Sequence, residues 1–273
     1  MWRTELSSTA NTTLEKTFSQ LKLNPDVDAI LLMGSAATQA MSEHSDYDLA
    51  CIVHNLPQNV LGINTYVDNR FTEIFFYSPE EINELLSKDE VHVDEKEGWL
   101  IHWSRGGRII VDKSGLLKQV KKKSSTIKED IADTLIYSSW HKINYNFVQN
   151  MRYFNSRKEE YLQALDIRLL YSIVEVFVGY FNVRKIPWRG EKQAIQWLKE
   201  NDADFLRLFQ NHLAETDRSK KVGHYEKLVN RALKQIGGVW EDKVTSIVPI
   251  GDFNEETIKT GRSFWNRLLK NSE

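Results

Sequence analysis

The sequence is poor in cysteine, in net charge and in long apolar runs, and each shortage removes a class of function. One cysteine, Cys51, among 273 residues excludes an internal disulfide framework and any multi-cysteine zinc site. It sits in an apolar run and reads as a buried strand residue. No stretch approaches the roughly 20 apolar residues that span a bilayer, so no membrane association is expected. The opening residues, MWRTELSSTANTT, carry neither the basic nor the apolar region of a signal peptide, and the expectation is a cytoplasmic soluble protein. A formal net charge of −2 lacks the basic excess of a nucleic-acid-binding domain, and no nucleic-acid partner is expected. The densest basic block, Lys121-Lys122-Lys123, reads as part of a solvated linker. Neither an internal repeat nor a low-complexity tract is present.

What remains is an ordinary globular composition, 41% hydrophobic and 27% charged, long enough for one large or two medium domains. Thr12 to Leu21 reads as a first helix, with Thr12 and Glu15 spaced as a capping box. Ala29 to Met33 is a short apolar run ending at Gly34-Ser35, the pattern of a buried strand entering a turn. Tyr47–His54, Arg70–Tyr77 and Arg108–Asp112 read as further strands. Ser78-Pro79-Glu80-Glu81 combines a cap, a proline at the first helical position and the acid that completes a box.

The composition shifts beyond residue 122. Thr126 and Glu129 are spaced as another capping box, and no strand is expected from there to about Val244. Ile127, Ile131, Leu135, Ile143, Phe147, Met151 and Phe154 recur at near-helical spacing. Tyr161 to Phe181 is apolar on most sides and predicts a central buried helix. Eight tryptophans, most of them beyond residue 98, support a packed helical half. The predicted class is α+β: a mixed-sheet domain over 1–122, then a helical domain over 123–273.

The chemistry concentrates in LLMGSAATQAMSEHSDYDLACIV. A strand delivers Gly34-Ser35, and ten residues later Asp46 and Asp48 open the next strand. Residues two apart on a strand point to one face, so two carboxylates converge there. Adjacent carboxylates repel each other and are tolerated most readily when a cation compensates them. Hard oxygen donors select Mg²⁺ or Mn²⁺ over zinc. Gly34 lets the backbone approach a phosphate closely, and Ser35 adds a hydroxyl. Together these describe a nucleoside triphosphate, ATP or another, held on a metal ion.

Gly34-Ser35, ten intervening residues and Asp46-Tyr47-Asp48-Leu49 resemble the DNA polymerase β-type nucleotidyltransferase superfamily, and within it the kanamycin-type aminoglycoside nucleotidyltransferases. The match covers roughly residues 28–82. Its segment Phe71-Thr72-Glu73-Ile74-Phe75-Phe76-Tyr77-Ser78-Pro79-Glu80-Glu81-Ile82 is similar to the stretch around the family's third acid, which the resemblance assigns to Glu73. Glu73 also draws notice alone, as the only charge between Phe71 and Tyr77; an ion pair with Arg70 or Arg105 is the structural alternative. The resemblance implies transfer of a nucleoside monophosphate, AMP foremost, from a triphosphate to a hydroxyl of a small molecule such as an aminoglycoside.

In such enzymes a helical domain closes over the nucleotide. Asn182 to Lys192 resembles the loop and helix start that supply a triphosphate-binding lysine, here Lys192; a solvated surface lysine is the other reading. Lys142 is a second candidate phosphate contact, on a polar stripe with Ser138, Tyr145, Asn146 and Gln149. Asp166, on an otherwise apolar face and apart from the polar stripe of Arg168, Ser172 and Glu175, reads as the partner of an arginine in preference to a general base. Around Ser138 to Tyr145, where the kanamycin-type enzymes carry a glutamate base, there is no acid. This departure leaves the base and the acceptor unassigned, and the oligomeric state stays open. His44, His102 and His141 have no ligand spacing among themselves. Two rival functions are a nucleotidyltransferase that modifies proteins in the manner of an antitoxin, and a non-catalytic nucleotide-binding protein.

Overall fold

The computed structural model describes residues 13–38, 40–241, 246–248 and 254–270, in two compact units that divide between Glu129 and Asp130. In the first unit, helix α1 (Leu14–Leu23) is capped by Thr13, whose hydroxyl accepts from the Lys16 amide at 3.2 Å. The predicted cap, Thr12, lies outside the described residues. Strand β1 (Val27–Met33) leads into a single helical turn, α2 (Gly34–Ala37), then to β2 (Tyr47–Val53), β3 (Gly62–Val67) and β4 (Arg70–Tyr77). Helix α3 (Pro79–Ser87), strand β5 (Glu90–His92), helix α4 (Lys96–Gly106), strand β6 (Arg108–Asp112), helix α5 (Leu116–Lys123) and strand β7 (Lys128–Asp130) follow.

Five strands form one sheet in the order β3-β4-β2-β1-β6, with β2 and β4 parallel and the other neighbours antiparallel. Strands β5 and β7 pair separately. All seven residues of β1 are buried, because the strand has neighbours on both edges and cores on both faces. Ala29, Leu31 and Met33 join Ala50, Ile52, Leu100, Ile101, Leu117 and Val120 on one side. Val27, Ile30 and Leu32 meet Leu49, Cys51 and Ile74 on the other, with Phe18 and Leu21 of α1 packed against them. Double coverage explains why the strand reads as a continuous apolar run.

The turn between β3 and β4 is Asp68-Asn69, with φ of 53° and 60°, the two positive values that a tight hairpin needs to match strand twist. Asp68 also accepts from the Leu14 amide at 3.0 Å and so satisfies the start of α1. The box on α3 forms as expected: Ser78 Oγ accepts from the Glu81 amide at 3.2 Å, and Glu81 accepts from the Ser78 amide at 2.7 Å.

Two readings of the boundary region are corrected. Lys121 to Lys123 are the last turn of α5, a favourable place for cations, and the Lys121 ammonium donates to the Gly107 carbonyl at 2.8 Å. Thr126 caps no helix, because its hydroxyl and amide both donate to Lys123 O at the end of α5. Glu129 belongs to β7 and pairs with Arg105. Strand β7 therefore falls where only helix was expected, and Ile127 and Ile131 flank it; Val244 lies outside the described residues.

The second unit is helical: α6 (Asp133–Ser156), α7 (Glu159–Asn182), α8 (Glu191–Asn201), α9 (Ala203–Ala214), α10 (Arg218–Leu233) and α11 (Glu255–Lys270). Ile143 of α6, Leu165, Leu169, Ile173 and Val176 of α7, Leu198 of α8, Phe205 of α9 and Leu228 of α10 build its core, with Phe147, Met151 and Phe154 packed against it. Helix α7 is buried along one stripe and not all round. Ile167, Leu170 and Val174 are 65%, 68% and 56% exposed, because their spacing sets them opposite Leu165, Leu169 and Ile173. The chain is α+β: a mixed sheet with flanking helices, then a helical region. Among the described residues no helix is long and apolar enough to cross a membrane.

Candidate metal centre

The site begins where β1 ends. Met33 closes the strand and Gly34 turns the chain with φ of +62°, in the left-handed region where a side chain is strained. A β-carbon on residue 34 would lie 2.4 Å from Asp48 Oδ2. Glycine is required here twice over, by the backbone angle and by the approach of a carboxylate. Half-buried Ser35 follows, its carbonyl accepting from the Thr38 hydroxyl at 3.3 Å and the Ala40 amide at 3.1 Å. Its own hydroxyl has no hydrogen-bond partner among the described residues.

Strand register assembles the acids. Met33 lies opposite Asp48, Asp48 opposite Glu73 across the parallel pair, and Glu73 opposite Asn64. Residues in such a row share one face of the sheet. Asp48 stands two residues before Ala50 and Glu73 two before Phe75, and Ala50 and Phe75 belong to the core beneath α4 and α5. The acids thus occupy the last row of an otherwise apolar face. Asp46, two residues ahead of Asp48, is exposed, whereas Asp48 and Glu73 are half-buried.

One carboxylate oxygen from each of Asp46, Asp48 and Glu73 lies within 4.8 Å of the others. Three like charges at this spacing repel, and partial burial removes some of the water that would screen them. Neither Asp46 nor Glu73 is ion-paired among the described residues. The two arginines that could have neutralised Glu73 are committed elsewhere: Arg105 to Glu129 and the Ser124 carbonyl, Arg70 to backbone carbonyls. The donor set fits a hard divalent cation. Octahedral Mg²⁺ places neighbouring ligand oxygens about 3 Å apart, and opposite ones about 4.2 Å apart, so small side-chain rotations bring all three onto one ion.

Arg70 is the residue of this neighbourhood that sequence reading treated only as an ion-pair partner. Its Nη1 donates to the carbonyls of Ser42, Glu43 and Ser45 at 2.9, 3.0 and 2.8 Å, and its guanidinium lies 5.9 Å from the Tyr47 ring centre. Tyr47 donates to Asp68 at 3.4 Å, and burial followed by the Asp68 charge raises its phenol above the ordinary value. The signal for Arg70 was weak, because a basic residue opening a strand ordinarily points into water.

The candidate lysines belong to the second unit. Lys142 is exposed on α6, and Lys192 is exposed in the first turn of α8, after Gly190 at φ +84°. Within the Asn182–Lys192 segment two other cations have structural partners. Arg184 donates to the carbonyls of Tyr180, Arg231 and Ala232, and Lys185 pairs with Asp130 and Asp133. Asp166 receives two bonds from Arg218, 2.9 and 2.7 Å, and is the arginine partner expected of it. The stripe of Arg168, Ser172 and Glu175 does not face open water. Arg168 donates to Asn150 and Asn146, Asn150 to Ser172, and Asn146 to Glu175, so this stripe is a polar seam between α6 and α7. His44 is exposed, and buried His141 packs its ring against Tyr137 and Trp240, with burial lowering its basicity.

No family model and no curated protein matches the sequence. Among solved structures the chain is similar to a nucleotidyltransferase-like protein from Exiguobacterium sibiricum, at 12% identity and a TM-score of 0.46, over 81% of this chain and 73% of that one.

Proposed function

We propose that the protein is a metal-dependent nucleotidyltransferase that moves a nucleoside monophosphate, AMP from ATP in the first instance, to a hydroxyl of a small molecule. The observation that carries the reading is the gathering of Asp46, Asp48 and Glu73 carboxylate oxygens within 4.8 Å, with Asp48 against the glycine that follows β1. Mg²⁺ or Mn²⁺ held by these three acids would polarise the attacked phosphorus and stabilise the leaving pyrophosphate. The chain's own residues supply the rest. Gly34, lacking a side chain, leaves its backbone open to a phosphate, and Ser35 offers a hydroxyl with no other partner among the described residues. Lys192 and Lys142 are the proposed further phosphate contacts, both exposed.

In the transfer, the acceptor oxygen bonds to the α-phosphorus as the bond from that phosphorus to pyrophosphate breaks, and the hydroxyl proton passes to a carboxylate. Glu73 suits that role, because it stands on the side of Asp48 away from Gly34 in the sheet. Asp166 does not, since both its oxygens hold Arg218. The departure from the kanamycin-type pattern on α6 makes the acceptor a matter for a panel: aminoglycosides, lincosamides and other polyols. The experiment is transfer from α-labelled ATP with Mg²⁺. Labelled acceptor is expected with the natural protein and none with Asp46→Asn plus Asp48→Asn; transfer that survives both substitutions rejects the assignment.

A further inference from the structure

We infer that Arg70 is a positioning residue for this centre: it grips the backbone of the loop that presents Asp46, and metal affinity depends on the grip. The inference rests on the metal reading of the three acids and adds a determinant that touches none of them. Arg70 opens β4, three residues before Glu73 on the same strand. Its Nη1 is shared by three carbonyls, those of Ser42, Glu43 and Ser45, at 2.8–3.0 Å. Ser45 is the residue immediately before Asp46.

Among the described residues the loop has little else to hold it. Over residues 40–46 it forms a turn at 43–44 and no helix or strand. Among the described residues its other bonds are local: Ser45 amide to Ser42 carbonyl at 3.2 Å, Ser42 amide to Ser45 Oγ at 2.9 Å, the Ser42 and Ser45 hydroxyls at 3.1 Å, and Ala40 amide to Ser35 carbonyl at 3.1 Å. Asp48 and Glu73 are fixed by strand pairing, but Asp46 is exposed and outside the strand. Arg70 therefore ties the Asp46 loop to the strand that carries Glu73. Among the described residues it makes no ion pair, so its charge serves the carbonyls and not a carboxylate.

Two effects of removing this cation oppose each other, and their signs separate the explanations. By charge alone, a guanidinium in this neighbourhood disfavours a bound divalent cation, and its loss would leave metal binding equal or tighter, by less as salt screens the charge. If Arg70 positions Asp46, its loss weakens binding. Lysine makes the test sharper. Because one nitrogen serves all three carbonyls, an ammonium with three hydrogens can bond the same acceptors, although lysine is one bond shorter than arginine, so the loop must draw in slightly to meet it, and the planar fork is lost.

The experiment measures Mn²⁺ affinity by loss of the free-ion electron paramagnetic resonance signal, alongside thermal melting, for the natural protein, Arg70→Met and Arg70→Lys. Affinity is expected to fall at least about tenfold in Arg70→Met and to stay within about threefold in Arg70→Lys, with melting points close together. Equal or tighter binding by folded Arg70→Met overturns the inference alone, as does a loss in Arg70→Lys as large as in Arg70→Met. A natural protein that binds no Mn²⁺ overturns the metal reading and this inference with it. Should Arg70→Met fail to fold, the natural protein decides by arginine-selective ¹⁵N spectra. Beside the signals of other bonded arginines such as Arg184 and Arg218, a guanidinium with hindered rotation about Cζ–Nη1 that is absent from Arg70→Lys is expected, and a spectrum that loses no hindered signal in Arg70→Lys overturns the grip.

Discussion

Asp48 Oδ2 occupies the space that a β-carbon on residue 34 would need, 2.4 Å from where that carbon would sit. A strand end and a carboxylate from the neighbouring strand thus share one small volume, and the sharing is possible because Gly34 has no side chain. Gly34→Ala meets both obstacles, the left-handed φ and the carboxylate. The backbone strain alone costs about 1–2 kcal/mol. Relief of the contact turns Asp48 away from its partners. Urea denaturation is expected to show the stability loss and Mn²⁺ titration at least about a tenfold weaker affinity. An alanine protein that binds Mn²⁺ as the natural one does would remove Asp48 from the ligand set.

Glu73→Gln is expected to move stability in opposite directions with and without metal. In metal-free buffer the substitution removes one of three repelling charges from a half-buried cluster, and the melting point should hold or rise slightly. With Mn²⁺ in excess the natural protein gains RT ln(1 + [M]/Kd), about 2.7 kcal/mol at a hundredfold excess over Kd, and the variant gains little. The crossing of the two melting curves as metal is added is the measurement. Parallel curves would show that Glu73 is not a ligand.

The sequence made these acids legible for a physical reason. The two-residue spacing of Asp46 and Asp48 at a strand opening is readable locally, although Asp46 itself lies just before β2, and an acid alone in an aromatic strand marks Glu73. What joins them, the parallel pairing of Asp48 with Glu73, is a relation between strands 25 residues apart that no local pattern encodes. Strand β1 was readable because both faces are buried. Strand β3 was not, since Ile63 and Tyr66 face water at a sheet edge and leave no buried run. The Thr126–Glu129 spacing misled because each of the two side chains had a closer partner, Lys123 O and Arg105. Arg70 escaped notice because its bonds go to carbonyls, which every residue has.

Asp166 tests the division between structure and chemistry on α7. The two hydrogen bonds from Arg218, opposed by a small cost of burial, hold its carboxyl below the ordinary carboxylate value. A depressed acid contributes stability that is present above its unfolded pKa and is lost as pH falls through the folded one. The gap between the natural protein and Asp166→Asn should therefore be constant at neutral pH and close only below about pH 3.8. Its size should stay below about 1 kcal/mol, because the carboxylate is half exposed. Nucleotidyl transfer by Asp166→Asn at the natural rate is expected; a large loss with unchanged stability would return Asp166 to the chemistry.

His212 should contribute to the acid sensitivity of the helical unit at milder pH, beside His141, whose basicity burial also lowers. It lies in the last turn of α9, 1% exposed, with Nδ1 at 3.0 Å from the Lys221 carbonyl of α10, and so donates there as the neutral ring. Burial drives its pKa down from 6.5 to about 4, with the Lys221 carbonyl opposing and the nearby Lys221 and His224 charges adding to the fall. Above pH 6.5 the folded and unfolded rings are both neutral, and below about 4 both are charged. Between these values the unfolded chain takes up a proton that the folded chain refuses, so stability falls as pH falls. The full window is worth at most about 3 kcal/mol. Urea midpoints between pH 7.5 and 4 should decline for the natural protein and run flatter for His212→Gln, which keeps an N–H for the Lys221 carbonyl but cannot titrate. Equal slopes would mean that His212 gains its proton without unfolding, and that the contact between α9 and α10 opens to water before the helical core does.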